Sequence, residues 1–331
     1  MPFDQLHRRE FIALLGGGAA AWPLAARAQQ PAKPPRIGML YPGPQAAVAV
    51  RVESMLKGVR ESGYLSPAQI ELVLRVAEND PARIAPLAAD IIKANVDVIF
   101  AAANPVLQAF RSQQAMVGIV AMDLETDPVE NGTVASLARP GGTITGVFLA
   151  FPEFAAKCLQ LLMETLPRLT HVAALWDPTT GSMQKTAIEQ AAKSLNLVLE
   201  ILQVRSVADF DEAFATAAGQ RAGALLMLSS PLFGSSTRTV AELALRRNLP
   251  AITLFPDFAR AGGLLAYGPN LLDMYRQSGV MIGKVLQGRK PADLPIERPT
   301  QFQLVVNLRT ARTLGVTIPT SILLRADEVI E

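Results

Sequence analysis

The chain of 331 residues is poor in the side chains that most metal and nucleophilic sites use: it has one cysteine and two histidines. Zinc sites and Ser-His-Asp triads depend on such residues being held together. His7 belongs to the amino-terminal leader, and His171 opens a predicted strand, away from the carboxyl edge where α/β sheets gather ligands. Cys158 lies in an apolar helical stretch, where packing is its predicted role. We expect no catalytic residue and no metal.

Excess charge of one sign is also absent. Lysine and arginine total 31 and aspartate and glutamate 29, a formal net charge of +2. This balance is too even for the broad basic face that nucleic acids require. Hydrophobic residues make up 50% and charged residues 18%, which excludes a disordered chain and allows sizeable cores. The length fits two domains of roughly 100 to 200 residues.

The first 28 residues have the order of an export signal: a charged start, an apolar stretch over 11–21 and the small-residue ending Ala26-Arg27-Ala28. The apolar stretch is about half the roughly 20 residues of a membrane span. The pair Arg8-Arg9, followed by Glu10-Phe11-Ile12, is similar to a twin-arginine signal, with an ordinary secretory signal as the alternative. We expect cleavage near Ala28 and a periplasmic product.

Apolar, β-rich runs alternate with helical stretches in two successive cycles. This alternation is typical of doubly wound parallel sheets, so we predict an α/β fold with two such lobes. The first would comprise 36–148 plus about 268–299, and the second 149–267 plus about 300–331, although the tail could return to either. Strands are predicted at 37–41, 70–76, 96–100, 117–122, 145–149, 172–176, 197–204, 224–228, 251–254, 264–267 and 302–307. Helices are predicted at 46–62, 83–94, 183–195, 209–218, 237–247, 271–286 and 309–314.

Nucleotide-binding fingerprints are missing from the first strand-to-helix turn. It lacks G-x-G-x-x-G, and Pro44 stands where a P-loop needs lysine. We therefore expect no cofactor. The nearest approach to an enzymatic constellation is Asp123, Glu125 and Asp127 after a strand, which could bind a cation or exchange protons. The alternative is that Asp123 and Asp127 cap the following turn.

The carboxyl ends of the predicted strands carry residues that suit a small ligand. Aromatic faces can stack on a planar solute, and polar side chains can fix its ends. The alternative for each aromatic is a core position, and for Asp177 a simple N-cap. The predicted ligand contacts are Tyr41, Phe255 and Tyr267 for stacking, Asp123, Glu125 or Asp127 for an ammonium or hydroxyl, and Asn104, Asp177, Ser229 and Ser230 for orienting hydrogen bonds.

Longer stretches carry a resemblance to a known family: 123–129, 136–142, 266–270, 290–295 and 325–331, with Arg8-Arg9-Glu10-Phe11 in the leader. In them the chain resembles the periplasmic substrate-binding proteins of ABC importers in the tryptophan/tyrosine-binding-like group. The resemblance implies a type I periplasmic-binding fold, with two lobes joined by a hinge and the ligand between them. Thr143 and Ala266 depart from residues that family members often have, so ligand specificity is not carried over.

The resemblance implies a non-enzymatic function. The chain would be a monomeric solute-binding subunit that traps a small polar or aromatic solute, an amino acid or an aromatic or organic acid, and delivers it to a permease in the inner membrane. One alternative is a periplasmic ligand-sensing subunit, and another is a carboxylate-based enzyme using 123–127. A sugar-responsive repressor would need a DNA-binding helix pair where the export signal lies.

Overall fold

The computed structural model describes residues 34–64 and 70–331. The predicted export signal, its twin-arginine pair and the cleavage site at Ala28 lie outside the described residues. Among the residues described, no helix is both long enough and apolar enough to cross a membrane.

Two sheets form the framework. The first has the strand order β2-β1-β3-β4-β5 and is parallel throughout. The second has the order β12-β11-β10-β9-β8-β6-β7, in which only the β10–β11 pair is antiparallel. The strands are β1 Arg36–Tyr41, β2 Glu71–Val76, β3 Val98–Ala102, β4 Gly118–Asp123, β5 Ile144–Phe148, β6 His171–Trp176, β7 Val198–Gln203, β8 Ala224–Met227, β9 Ala251–Thr253, β10 Leu265–Pro269, β11 Phe302–Asn307 and β12 Glu328–Ile330.

Helices cover both sheets, so the central strands are buried along their whole length, as expected for parallel sheets. The helices are α1 Val48–Glu61, α2 Pro81–Lys93, α3 Asn104–Ser112, α4 Phe151–Thr165, α5 Met183–Ser194, α6 Phe210–Gly219, α7 Pro231–Ser235, α8 Thr237–Arg246, α9 Pro256–Arg260, α10 Leu271–Leu286, α11 Leu308–Thr313 and α12 Thr320–Leu323. We call β1–β5 with α1, α2, α3 and α10 lobe 1, and β6–β12 with the other helices lobe 2.

The chain passes between the lobes three times: after β5, after β10 and before β11. Helix α10 packs on α1 and on the first sheet, whereas β11 and β12 extend the second sheet. Hydrogen bonds fix the return segment beside β5, since Thr145 Oγ1 donates to Leu294 O at 2.7 Å and Phe148 N donates to Glu297 O at 3.0 Å. The carboxyl-terminal region is therefore shared between the two sheets.

Local sequence signals place the ends of several elements. Asp80 caps α2, where its carboxylate accepts a hydrogen bond from Ala82 N at 2.9 Å and Pro81 occupies the first turn. Gly63 follows α1 with a φ of +81°. Cys158 is buried in α4, which confirms its predicted packing role. Strand β3 begins two residues later than predicted because Asp97 instead accepts a hydrogen bond from Arg36 N at 2.7 Å.

Candidate ligand-binding cleft

A cavity lies between the lobes, where the carboxyl ends of the two sheets face each other. Its interior volume is about 80 Å³, several times the roughly 10–15 Å³ that a single water needs by the same measure. The cleft is therefore large enough for a small organic solute. Side chains that line it include Tyr41, Arg51, Leu124, Glu125, Leu271 and Tyr275 of lobe 1 and Ser229, Ser230, Ser235, Phe255 and Asp257 of lobe 2.

Glu125 is the buried carboxyl group of the cleft, and its two oxygens contact different lobes. Its Oε2 accepts a hydrogen bond from Asn104 N at 3.0 Å within lobe 1. Its Oε1 lies 2.7 Å from Ser229 Oγ of lobe 2. Burial raises the pKa of Glu125 well above its ordinary value, and the charge of Asp123 raises it further against the opposing hydrogen bonds from Asn104 and Ser229. The surroundings therefore shift the protonation equilibrium of Glu125 towards its neutral form.

A strained turn places the donor for Glu125. Ala103 precedes α3 with a φ of +79°, a left-handed value that is unusual for alanine. Ala103 N donates to Met122 O at 2.7 Å, which holds the turn against β4. The next peptide then directs Asn104 N at Glu125, while Asn104 Nδ2 donates to Thr180 O of lobe 2 at 3.2 Å. The Asn104 residue thus contacts both lobes.

Asp123 has a structural role in the same loop. It is fully buried, and its oxygens accept hydrogen bonds from Glu125 N at 2.7 Å, Thr126 N at 3.1 Å and Thr126 Oγ1 at 2.6 Å. Burial raises the pKa of Asp123 in spite of these hydrogen bonds. The turn-capping interpretation therefore describes its observed contacts, and the loop it shapes positions Glu125.

Arg51 lines the cavity and was not predicted from the sequence. It is half-buried on α1, its guanidinium carbon lies 5.4 Å from the centre of the Tyr41 ring, and its charge acts on the neighbouring Tyr275 hydroxyl. One sequence signal could have found it. Arg51 stands three residues after Val48 and four before Met55, both of them core residues, so a cation lies on the buried stripe of the helix.

The aromatic side chains of the cleft come from strand ends and from α10. Tyr41 follows the prediction in lining the cavity at the end of β1, and Phe255 does the same after β9. Burial raises the pKa of Tyr41, partly offset by the charge of Arg51. Tyr275 was not predicted; it is buried and packs edge to face against Phe100, with ring centres 5.5 Å apart. The cleft therefore has aromatic walls on both lobes.

Five residues of the predicted set lie outside the cavity lining: Asn104 and Asp123, whose contacts are described above, and Asp127, Asp177 and Tyr267. Asp127 caps a turn by accepting from Val129 N at 2.8 Å and pairs with Arg298 at 3.2 Å. Asp177 accepts from Thr179 N at 2.9 Å and caps a short 3-10 turn. Tyr267 stacks between two phenylalanines where the chain crosses between the lobes, with ring centres 5.8 Å away on each side.

Comparisons with known proteins agree with this architecture. The family model described as ABC transporter substrate binding protein matches residues 43–330. A tyrosine-binding protein of Clostridioides difficile (strain R20291) is 23% identical over 266 residues, which cover 79% of this chain and 75% of the relative.

Solved structures share the fold. A conserved domain protein from Vibrio cholerae superposes with a TM-score of 0.82 at 22% identity, covering 90% of this chain and 100% of the other. An ABC domain from Streptococcus pneumoniae in complex with L-Trp gives a TM-score of 0.81 at 24% identity, covering 89% of this chain and 99% of the other.

The two α/β lobes with a cleft between them define a type I periplasmic-binding fold, which confirms the predicted fold class. The chain belongs to the ABC transporter substrate-binding protein family. Its predicted function, the solute-binding component of an ABC transporter, is thereby confirmed at the level of the family.

Proposed function

We propose that this protein captures a small carboxylate-bearing solute, an amino acid or an aromatic or organic acid, and delivers it to a permease in the inner membrane. The observation that carries the proposal is a cavity with walls from both lobes, bridged by Glu125 and Ser229. An open form would take up the solute, and the lobes would then close on it. Closure needs a ligand that binds the closed form more tightly than the open form.

The choice of ligand class is supported by the cleft and by the relatives. The walls combine the rings of Tyr41 and Phe255 with the guanidinium of Arg51 and several hydroxyl groups, which suits a solute with a ring and a polar end. One relative is a tyrosine-binding protein, and a structural neighbour holds L-Trp. The predicted ligand contacts all stay predictions, both those that line the cavity and those of Asn104, Asp123, Asp127, Asp177 and Tyr267 outside its lining.

The site of action is proposed to be the periplasm. The leader over residues 1–28 has the composition of an export signal with a twin-arginine pair, and the family is one of extracytoplasmic proteins. We further propose that the protein acts as a monomer and has no catalytic activity, because one cleft formed within a single chain is sufficient for a binding cycle.

A thermal-shift screen of residues 29–331 tests the proposal. After carried-over ligand is removed, the protein is mixed with amino acids, aromatic acids, short carboxylates and sugars. A ligand at about 100 times its Kd adds roughly 2.7 kcal/mol of stability and shifts the melting temperature by a few degrees. We expect a hit among the carboxylates that is recovered chemically intact.

A matched pair of variants shows whether such a hit occupies the cleft. Phe255→Leu changes a cavity wall, whereas Phe302→Leu changes a ring at the crossing between the lobes. We expect weaker binding in the first variant only. Recovery of a chemical product would overturn the proposal and indicate an enzyme. If no compound in the library shifts the melting temperature, the proposed class of carboxylate ligands is wrong.

A further inference from the structure

The cleft contains a cation without a counter-ion. Arg51 is half-buried and forms none of the ion pairs found among residues 34–64 and 70–331. Its contacts are the Tyr41 ring, the Tyr275 hydroxyl and the Ala47 carbonyl, all of them neutral. A partly desolvated guanidinium is costly unless an anion joins it. One negative group bound in the cleft would therefore neutralise the charge of Arg51.

The carboxylates in and beside the described cleft already accept hydrogen bonds or pair with a cation of the protein. Both oxygens of Glu125 are engaged, by Asn104 N and by Ser229. Asp123 is enclosed by its own loop. Asp257 lies on the rim and pairs with Arg260 at 3.0 Å. The acidic groups proposed from the sequence for a ligand ammonium already have partners in the protein, which a ligand would have to share.

The surroundings of Glu125 also disfavour the charged form that would attract an ammonium. Burial and the neighbouring Asp123 raise its pKa well above the ordinary value. A carboxyl group whose charged form is disfavoured is a weaker partner for a ligand cation than a solvated carboxylate. An ammonium in the closed cleft would therefore lose its hydration for a weak electrostatic gain.

We propose that the solute is an organic monoanion, a ring-bearing carboxylate without an amino group, whose carboxylate pairs with Arg51. The inference rests on the proposed function and narrows its ligand class. A guanidinium matches a carboxylate in shape and can donate two parallel hydrogen bonds to it. The rings of Tyr41 and Phe255 form apolar surface for the remainder of the solute, and serine hydroxyls of lobe 2 reach its polar substituents.

A set of three probes isolates the charge of the ligand. The anion 3-phenylpropanoate, the zwitterion L-phenylalanine and the cation 2-phenylethylamine share one ring and differ in their charged groups. Isothermal titration of residues 29–331 should give the tightest Kd for the anion, at least about tenfold weaker binding for the zwitterion, and no binding of the amine. Equal or tighter binding of L-phenylalanine would overturn the inference while the proposed function stands.

Variants on a single helix test the role assigned to Arg51. Arg51→Met should weaken binding of 3-phenylpropanoate by at least about 30-fold, the lower range for truncating one partner of a buried charge pair. Arg60→Met is the matched control, since Arg60 is exposed on the same helix, and it should retain the wild-type Kd. Arg51→Lys should fall between them because it keeps the charge but not the planar fork.

The outcomes separate the two proposals. Wild-type affinity in a folded Arg51→Met protein, with melting temperature as the check on folding, contradicts the role of Arg51. If Arg51→Met does not fold, Arg51→Lys provides the test. Unchanged affinity in Arg51→Lys would contradict a bidentate pairing between Arg51 and the ligand carboxylate. Silence with all three probes overturns the ring-bearing carboxylate class. The proposed function fails separately if the broader screen yields no ligand or if a bound molecule is recovered as a product.

Discussion

Three carboxylates within five residues have three different environments. Asp123 is fully buried in its own loop, Glu125 reaches into the cleft, and Asp127 is partly exposed beside Arg298. Partial burial raises the pKa of Asp127, but hydrogen bonds from Glu130 N and Val129 N, together with Arg298, outweigh it and lower the pKa overall. The depth of each side chain, rather than its chemistry, therefore sets its role.

Asp127→Ala should cost stability without affecting ligand affinity. Loss of the cap is expected to lower the free energy of unfolding by about 1 kcal/mol at neutral pH. The pKa of Asp127 is lower in the folded state than its ordinary value of 3.8. The stabilisation by Asp127 is therefore fully present at pH values above 3.8 and is lost as the pH falls through the folded-state pKa. Urea denaturation at neutral and acidic pH measures it. A tenfold loss of affinity would instead place Asp127 in contact with the solute.

At the level of elements, the contact between α1 and α10 positions two cleft residues, Arg51 and Tyr275. The helices meet at glycines, where their backbones touch. A Cβ atom added at Gly279 would lie 1.9 Å from Met55 O, and one added at Gly58 would lie 1.8 Å from Arg276 O. No side chain fits there, so the helices would have to separate.

Gly279→Ala is therefore expected to destabilise the protein by about 2 kcal/mol or more, the range for overpacking, and to weaken ligand binding by moving Arg51. Gly219→Ala is the matched control. Gly219 is also helical, with no atom within 4 Å of an added Cβ, so alanine there should be neutral or stabilising by up to about 1 kcal/mol. Denaturant unfolding compares the two, and equal stabilities would contradict the backbone contact.

At the scale of the whole molecule, two hydrogen bonds between described residues join the lobes across the cleft: Ser229 to Glu125 and Asn104 Nδ2 to Thr180 O. Opening would break both and admit water to Glu125. The pKa of Glu125 is raised in the closed form by burial, and hydration would return it towards its ordinary value of 4.5. Closure is therefore expected to take up a proton.

Ligand affinity should consequently fall as the pH rises. At pH values between the ordinary pKa of Glu125 and its raised pKa in the closed form, the closed form binds more protons than the open form. Ligand affinity should therefore decline by up to about tenfold per pH unit in this range and be constant at higher pH. Titration calorimetry from about pH 5.5 upward, where a carboxylate probe is ionised, measures this slope. Glu125→Gln removes this carboxyl group, so the part of the slope that Glu125 contributes should vanish.

Other titrating groups are present in both the wild-type protein and Glu125→Gln, among them Asp123, whose pKa is also raised by burial. Tyr41 and Tyr275 face the cleft, but burial raises the pKa of each above its ordinary 10.0. His171 lies at the opposite end of β6 from the cleft. A slope that persists unchanged in Glu125→Gln would show that closure is not linked to this carboxyl group.

Much of the fold could be predicted from the sequence. Helix α10 and strand β11 have the predicted bounds, because Asn270 caps the first by accepting from Asp273 N at 3.0 Å and the second alternates apolar residues between turn residues. The positions of Tyr41, Ser229 and Phe255 in the cleft could also be predicted from the sequence, because parallel strands present their carboxyl ends at one edge of a sheet.

Other parts of the site could not be predicted in this way. Arg51 and Tyr275 lie within helices, where the sequence shows a periodic pattern but not which neighbour covers each face. Tyr267 is at a strand end like Tyr41, yet it stacks on Phe154 and Phe302 because the chain crosses between the lobes there. The crossing depends on where the carboxyl-terminal segments pack, which local pattern leaves open.

The sequence by itself determined the alternation of strands and helices, the ends of most elements and the edge at which a ligand would bind. These features depend on propensities, caps and periodicities among residues close together in the chain. The tertiary structure determined which polar and charged side chains lie in contact. Glu125 and Ser229 are 104 residues apart, and their contact exists only because the two lobes pack face to face. Among residues 34–64 and 70–331, the same packing places Arg51 in the cleft without an ion-pair partner.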